Sequence, residues 1–114
     1  MKFLQPNYQR NDERGALIEL SGKWEQVNIL CIYKDKEFGG HYHKHKTERF
    51  YVIRGLVKFT IQTQSNLCEP FLLGVGQMIE IEPYDQHTLF AEDDSILVEL
   101  LSEPYTETDI FKYE

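Results

Sequence analysis

Apolar residues recur along this chain in short runs, and in the clearest run they alternate with polar residues. Between positions 56 and 62, Val57, Phe59 and Ile61 alternate with polar side chains. Successive side chains of an extended strand point to opposite faces, so this segment is predicted to be a half-buried antiparallel strand. Other short runs rich in β-branched and aromatic residues predict further strands at 16–20, 27–33, 50–53, 71–73, 78–81, 87–90 and 95–101.

Turn residues separate these runs at intervals of roughly eight to twelve positions. Gly55, the Gly74–Gly76 pair, the segment 83–85 and the acidic segment 92–94 are the main interruptions. No stretch of about eleven residues or more shows the 3.6-residue period of an amphipathic helix. The pattern therefore predicts an all-β sandwich or barrel.

Length and composition indicate one folded domain that spans residues 1–114. The chain has 114 residues, of which 41% are hydrophobic and 13% aromatic. That is enough apolar material for a core, but the length does not suggest two domains.

Charge argues against two classes of partner. The net charge is −7, and no group of lysines and arginines stands outside the histidine-rich segment. Nucleic acid and anionic membrane surfaces are therefore not expected partners. The first residues lack the apolar core of a secretion signal, and no run approaches the roughly 20 apolar residues of a membrane span, so we expect a cytoplasmic protein.

All four histidines lie in two places. Three alternate within the segment 40–48, which ends on a carboxylate, and the fourth follows far along the chain: His41, His43 and His45 with Glu48, and then His87. On an extended strand, alternate imidazoles point to one side, and His87 could arrive there from another strand. Neutral imidazole and carboxylate are common ligands of divalent transition metals, so the sequence predicts a metal site.

The spacing of these residues resembles the two signature segments of the cupin superfamily. His41 and His43 are followed after four residues by Glu48 and then by Gly55, as in the first segment. The second segment is matched by Gly76 and His87, but the family's usual proline, glycine and asparagine are replaced by Glu82, Tyr84 and Ala91. The resemblance implies an all-β cupin fold, an antiparallel β-barrel or double-stranded β-helix (jelly roll) in a single domain. It also implies that His41, His43, Glu48 and His87 are the metal ligands, with His45 as an extra histidine.

A narrower resemblance, to the sugar-nucleotide cupins, covers most of the chain. It rests on Asp12-Glu13-Arg14-Gly15, on Glu19, on the Gly40-His41-Tyr42-His43 core and on Lys46-Thr47-Glu48-Arg49-Phe50. That group includes keto-deoxyhexose epimerases, ketoisomerases of the WxcM-like type, and the cupin domain of capsular polysaccharide reductases. The resemblance implies an isomerase or epimerase that acts on a keto-sugar, namely a nucleotide sugar of polysaccharide synthesis, and a homodimer with exchange of the first strand. An exposed sheet edge would also favour association.

This resemblance also suggests residue roles. Many relatives carry a basic residue just before the glycine of the histidine core, where this chain has Phe38 and Gly39, so phosphate binding would fall to Arg14, Arg49 or Lys44, or the nucleotide is not the ligand. Tyr84 is a further candidate for substrate binding.

Proton transfer next to a ketone requires a base and an acid, and the pKa of histidine suits both. His41 aligns with the base of metal-free relatives, but a nitrogen that binds metal cannot also take the proton. If His41 is a ligand, the acid or base would be His45 or a tyrosine such as Tyr42, Tyr51 or Tyr84.

The metal would be one divalent transition ion, such as Zn, Mn, Fe or Ni, which the donor set alone does not distinguish. The same residues also suit two alternatives: an iron-dependent dioxygenase, and a sugar-binding or sensing module without catalysis.

Overall fold

The computed structural model describes residues 1–113, and within them every regular element is a β-strand. The bounds are β1 Lys2–Leu4, β2 Tyr8–Asp12, β3 Gly15–Glu19, β4 Gln26–Ile32, β5 Glu37–His41, β6 Glu48–Arg54, β7 Leu56–Gln62, β8 Phe71–Gly74, β9 Met78–Ile81, β10 Gln86–Ala91 and β11 Ser95–Leu101. The predicted all-β class is therefore confirmed.

Two antiparallel sheets form the body of the domain. The larger has the strand order β1-β9-β6-β11-β4, and the smaller has the order β5-β10-β7-β8. Strands that neighbour each other in a sheet are mostly distant in the chain, as in a jelly roll and unlike a simple meander. A third sheet consists only of the hairpin β2–β3.

The core lies between the two main sheets. Val57, Phe59 and Ile61 on β7 are fully buried, as the alternation predicted. Phe59 contacts Phe50 of the opposite sheet edge-to-face, with 5.7 Å between ring centroids, and this packing joins the two layers.

Three strands were not predicted from the apolar pattern: β1, β2 and β5. β2 reads Tyr-Gln-Arg-Asn-Asp, and β5 contains two glycines, so neither has the composition typical of strands. β5 forms because it pairs with β10, a contact between distant parts of the chain. β1 pairs with β9, and the ammonium group of Met1 lies 2.8 Å from Asp85 Oδ2, which fixes the start of the chain.

Residues 1–113 contain no helical segment with the length and apolar character needed to cross a membrane.

Candidate active site

The structure brings the four predicted metal ligands together at one end of the cleft between the sheets. One donor atom from each of His41, His43, Glu48 and His87 can be chosen so that all lie within 4.8 Å of one another. His41 ends β5, His43 lies just after it, Glu48 begins β6 and His87 lies on β10. Three of the four are buried, and His41 is half-buried.

Strand pairing explains why two of these histidines meet. His41 is the partner of His87 in the β5–β10 ladder, and 5.0 Å separates their ring centroids. The ladder shifts register between His87 and Thr88, where Gly39 lies opposite at φ +98°. A Cβ at Gly39 would overlap the carbonyl oxygen of His87, so the close approach of the two strands requires glycine here.

The sequence suggested that the histidine-rich segment is one continuous extended strand, but in the structure it is not. β5 ends at His41, Tyr42 forms a single bridge to Phe111, and the chain bends at residues 44–45. The bend leaves His43 buried and His45 exposed. Convergence of His41 and His43 therefore comes from the end of a strand and the loop that follows it.

Backbone carbonyl groups orient two of the imidazoles. Nδ1 of His43 lies 2.5 Å from the carbonyl oxygen of Asp109, and Nδ1 of His87 lies 3.0 Å from that of Asp85. A carbonyl oxygen only accepts hydrogen bonds, so each Nδ1 must carry the proton and donate it. This arrangement leaves each Nε2 to face Glu48, which is the pattern found around metal-binding histidines.

The donor set fits a divalent metal ion. Nε2 of His43 lies 2.7 Å from Glu48 Oε1, and Nε2 of His87 lies 3.8 Å from the same oxygen. That oxygen is buried and has no hydrogen-bond partner among the described residues. The lone pairs of these nitrogen and oxygen atoms face one another without a hydrogen-bond donor between them. A bound cation would interact favourably with all of them.

The protonation states also suit metal binding. Burial, together with the neighbouring His87 and His43, lowers the pKa of His41 to about 4, so its imidazole is neutral at pH 7. Burial alone would raise the pKa of Glu48, but contacts with His43 and Glu99 hold it well below its usual range. Neutral imidazoles and an ionised carboxylate are the forms that bind metal.

A second acidic residue lies beside the cluster and was not predicted from the sequence. Glu99 on β11 accepts a hydrogen bond from Asn28 Nδ2 at 2.9 Å, and Asn28 in turn accepts one from Gln26 Nε2 at 3.0 Å. Burial and the nearby Glu48 raise the pKa of Glu99 to about 8. At neutral pH, Glu99 is therefore protonated and can donate to Glu48.

The raised pKa of Glu99 predicts how stability depends on pH in the metal-free protein. Between pH 4.5 and about 8 the folded chain keeps a proton on Glu99 that the unfolded chain has released, so stability falls as pH rises through this range. Glu99→Gln keeps an acceptor for Asn28 and a possible donor to Glu48 without an ionisable group. We expect its stability relative to wild type to increase from pH 5 to pH 8.5, by about 1–3 kcal/mol. Urea unfolding of EDTA-treated protein checks this, and a difference independent of pH would contradict the assignment.

The cluster opens into a cavity of about 450 Å³. Its wall contains all four of the candidate ligands together with polar and apolar residues of both sheets, including Gln26, Asn28, Phe38, Lys46, Phe50, Leu89, Glu99 and Tyr105. A volume of this size holds a small organic ligand. The polar positions Gln26, Asn28 and Glu99 alternate with apolar residues on strands of the larger sheet, and this alternation is a sequence signal that could have identified them.

The other predicted site residues lie outside this wall. His45 is exposed, and the ring of Tyr42 stacks on Tyr113 at 4.3 Å and on Tyr84 at 5.8 Å. Tyr51 is buried in β6, but it does not line the cavity. Their catalytic and binding roles stay predictions.

The two predicted arginines make local contacts. Arg14 pairs with Asp12 at 2.8 Å in the turn between β2 and β3. Arg49 pairs with Glu80 at 3.0 Å, and its guanidinium lies 4.9 Å from the ring of Trp24. Lys44 lies over the ring of Phe111, at 4.1 Å. None of the three lines the cavity of its own chain.

The two-sheet β-barrel, with its histidine and glutamate cluster in the cleft, is a cupin fold, and known structures of this fold match nearly the whole chain. The sugar 3,4-ketoisomerase QdtA from Thermoanaerobacterium thermosaccharolyticum, solved with TDP, is 22% identical, has a TM-score of 0.86, and aligns over 98% of this chain and 87% of its own. The TDP-quinovose 3,4-ketoisomerase WlaRB from Campylobacter jejuni is 18% identical with a TM-score of 0.87, over 98% and 92%. The dTDP-4-dehydrorhamnose 3,5-epimerase from Sulfolobus tokodaii is 18% identical with a TM-score of 0.78, over 95% and 73%.

Residues 10–108 match the family described as the polysaccharide biosynthesis C-terminal domain, and the chain belongs to that family. No curated protein matched the chain. The identities to the solved structures are low enough that those structures establish the shared fold alone. The predicted resemblance to the sugar-nucleotide cupins is thus confirmed at the level of fold.

Proposed function

We propose that this protein is an isomerase or epimerase that acts on a keto-sugar, carried as a nucleotide sugar of polysaccharide synthesis. The observation that carries the proposal is the convergence of three imidazoles and a carboxylate on the wall of a cavity of about 450 Å³. Proton transfer next to a ketone places negative charge on the carbonyl oxygen, and a cation held by such a donor set would stabilise that charge. The similarity to QdtA, WlaRB and the epimerase, and the family's link to polysaccharide biosynthesis, support the substrate class.

In the proposed reaction, a base removes the proton α to the carbonyl and the electron pair moves onto the carbonyl oxygen. An acid then returns a proton to the same carbon on its other face, or to the neighbouring carbon after the proton of the hydroxyl group has moved. The first outcome is epimerisation and the second is exchange of keto and hydroxyl positions. Neither outcome consumes an oxidant or a reductant.

We propose that His41, His43, Glu48 and His87 hold one divalent transition metal. When bound, the ion would supply Lewis acidity that stabilises negative charge on the carbonyl oxygen. The chain's own contribution is orientation: the carbonyl groups of Asp109 and Asp85 fix the ring positions of His43 and His87. Zn, Mn, Fe and Ni all accept this donor set.

The proposed activity is tested by incubating the metal-loaded protein with TDP-4-keto-6-deoxyglucose, the ligand present in a structure of a QdtA variant. We expect NMR spectra to show a product with a moved carbonyl group or an inverted carbon. If the substrate stays unchanged with each of the four metals, and binds without turnover, the protein is a sugar-binding module instead.

We also propose that two copies of the chain associate. The outer face of β4 exposes Val27 (56%) and Ile29 (65%), and β3 is exposed along its whole length. A two-stranded hairpin such as β2–β3 is marginally stable alone, so it is expected to pack on another surface. Light scattering should give a molar mass of twice 13.5 kDa, and Ile29→Lys should reduce it to that of a single chain. A single-chain mass for wild type would overturn the proposal.

The cytoplasmic location stays a prediction.

A further inference from the structure

Lys46 is a buried cation with no partner. Only 2% of its surface is exposed, and Nζ has no hydrogen-bond acceptor among the described residues. No carboxylate oxygen of those residues lies within 4 Å of Nζ either, since Lys46 forms none of the ion pairs found between residues 1 and 113. Lysine is almost never fully buried without a partner, because an ammonium group that loses water without compensation is strongly destabilising.

The backbone holds this side chain in place. After the bend at residues 44–45 the chain turns inward, so that His45 is exposed and Lys46 is buried. The next residue, Thr47, forms two hydrogen bonds with Ser102. Thr47 N–H donates to Ser102 Oγ at 2.9 Å, and Ser102 N–H donates to the Thr47 carbonyl at 3.0 Å. These two hydrogen bonds fix the backbone directly after Lys46.

Lys46 lines the cavity that contains the histidine cluster. Among the described residues that form its wall, it is the only lysine or arginine. Its Nζ lies 5.5 Å from the centre of the Tyr105 ring. This cation–π contact leaves the N–H groups of the ammonium without a hydrogen-bond acceptor. The ammonium group thus has three donors available inside a ligand-sized space.

The charge of Lys46 acts to lower the pKa of Glu99, but the contacts do not support a structural role as counter-charge to Glu48 or Glu99. Glu99 already accepts a hydrogen bond from Asn28, and Glu48 faces the imidazoles of His43 and His87. Neither carboxylate reaches Nζ at ion-pair distance.

We infer that Lys46 is a ligand-binding residue whose ammonium group donates hydrogen bonds to a negatively charged oxygen of the bound ligand. The identity of the ligand as a sugar nucleotide rests on the proposed function; the role of Lys46 does not. The charged oxygen has two possible sources: the phosphate of the nucleotide, and the carbonyl oxygen that gains charge when the α-proton leaves.

The test compares wild type with Lys46→Met and with Lys58→Met as a matched control. Lys58 also places its ammonium group over an aromatic ring, Phe90 at 5.1 Å, but it lies outside the cavity wall. The first measurement is the melting temperature without ligand. Lys46→Met removes an unpartnered buried charge and keeps a side chain of similar length. We therefore expect the melting temperature to stay unchanged or to rise by about 2 °C. A fall in Lys46→Met alone would show a structural counter-charge and overturn the inference.

The second measurement is the affinity for TDP and for inorganic phosphate by calorimetry, and the third is steady-state turnover of TDP-4-keto-6-deoxyglucose. If phosphate is the source, Lys46→Met weakens TDP binding by about 10- to 100-fold, since hydrogen bonds to charged groups have this strength. If the carbonyl oxygen is the source, the affinity for TDP stays within about twofold of wild type. In that case kcat falls by about 10- to 100-fold at unchanged KM. Lys58→Met should match wild type in both.

Two outcomes separate the inference from the proposed function. If wild type shows no turnover but binds TDP or phosphate, and Lys46→Met does not, the inference stands and the proposed activity fails. If Lys46→Met equals wild type in binding and in any turnover, or if wild type neither binds these anions nor turns over, the inference is overturned.

Discussion

Glu48→Gln is expected to abolish stoichiometric metal binding and to reduce turnover of the keto-sugar by about 1,000-fold. Glu48 Oε1 faces Nε2 of both His43 and His87, and Glu48 contributes the only negative charge among the four ligands. Loss of that charge should weaken metal binding by more than the roughly 10–100-fold typical of residues outside the ligand set. If the ion contributes several kcal/mol to the transition state, three powers of ten in rate depend on it.

Metal content after dialysis, measured by inductively coupled plasma mass spectrometry, checks this prediction beside the rate. Glu69→Gln, an exposed carboxylate outside the cavity, is the control and should retain one equivalent of metal. A Glu48→Gln protein that keeps one equivalent with normal affinity would contradict the proposed ligand set.

His41→Asn distinguishes the two roles of His41 in the same measurement. If His41 is a ligand, as proposed, the variant loses metal affinity together with turnover. If it retains the metal and loses only turnover, His41 is the base, and three residues hold the ion. The half-buried position and neutral state of His41 are compatible with both roles.

Gly39→Ala is expected to destabilise the fold and the site together. Gly39 has φ +98°, and a Cβ there would overlap the carbonyl oxygen of His87. Backbone strain should contribute about 1–2 kcal/mol, and displacement of β5 from β10 about 1–3 kcal/mol more. Because this ladder pairs His41 with His87, we also expect metal affinity to fall by about tenfold or more.

Gly76→Ala is the matched control for Gly39→Ala. Gly76 has φ +85°, but a Cβ there would meet no atom within 4 Å, so only the backbone strain of about 1–2 kcal/mol should appear. Its metal affinity should equal that of wild type. Chemical unfolding and metal titration of both variants measure these effects. Equal losses of stability and of metal affinity in the two would show that the contact between Gly39 and His87 does not organise the site.

The sequence predicted those parts of the fold that depend on local pattern. β7 was read from strict alternation of apolar residues, and its buried face is the one expected. β5 was missed because Gly39 and Gly40 lower strand propensity, and only pairing with the distant β10 makes the segment extended. Local pattern carries no information on such a pairing.

The candidate ligands were predictable for a different reason. His41, His43, Glu48 and His87 follow a spacing that resembles the cupin signature, and the structure brings them together. Lys46 and Glu99 were not predicted as cavity residues. Lysine and glutamate are usually exposed, and their burial here depends on the bend at residues 44–45 and on the register of β11 beside β4 and β6.

Solvent exchange in heavy water tests directly whether the site containing the histidine cluster catalyses proton transfer next to a ketone. TDP-4-keto-6-deoxyglucose would be incubated with metal-loaded wild type, with EDTA-treated protein and with Glu48→Gln, and deuterium at each sugar carbon would be read by NMR and mass spectrometry. The proposed reaction predicts incorporation next to the carbonyl with loaded wild type, and at most about a thousandth of that rate with the other two. Absence of deuterium from the sugar under every metal loading would contradict it.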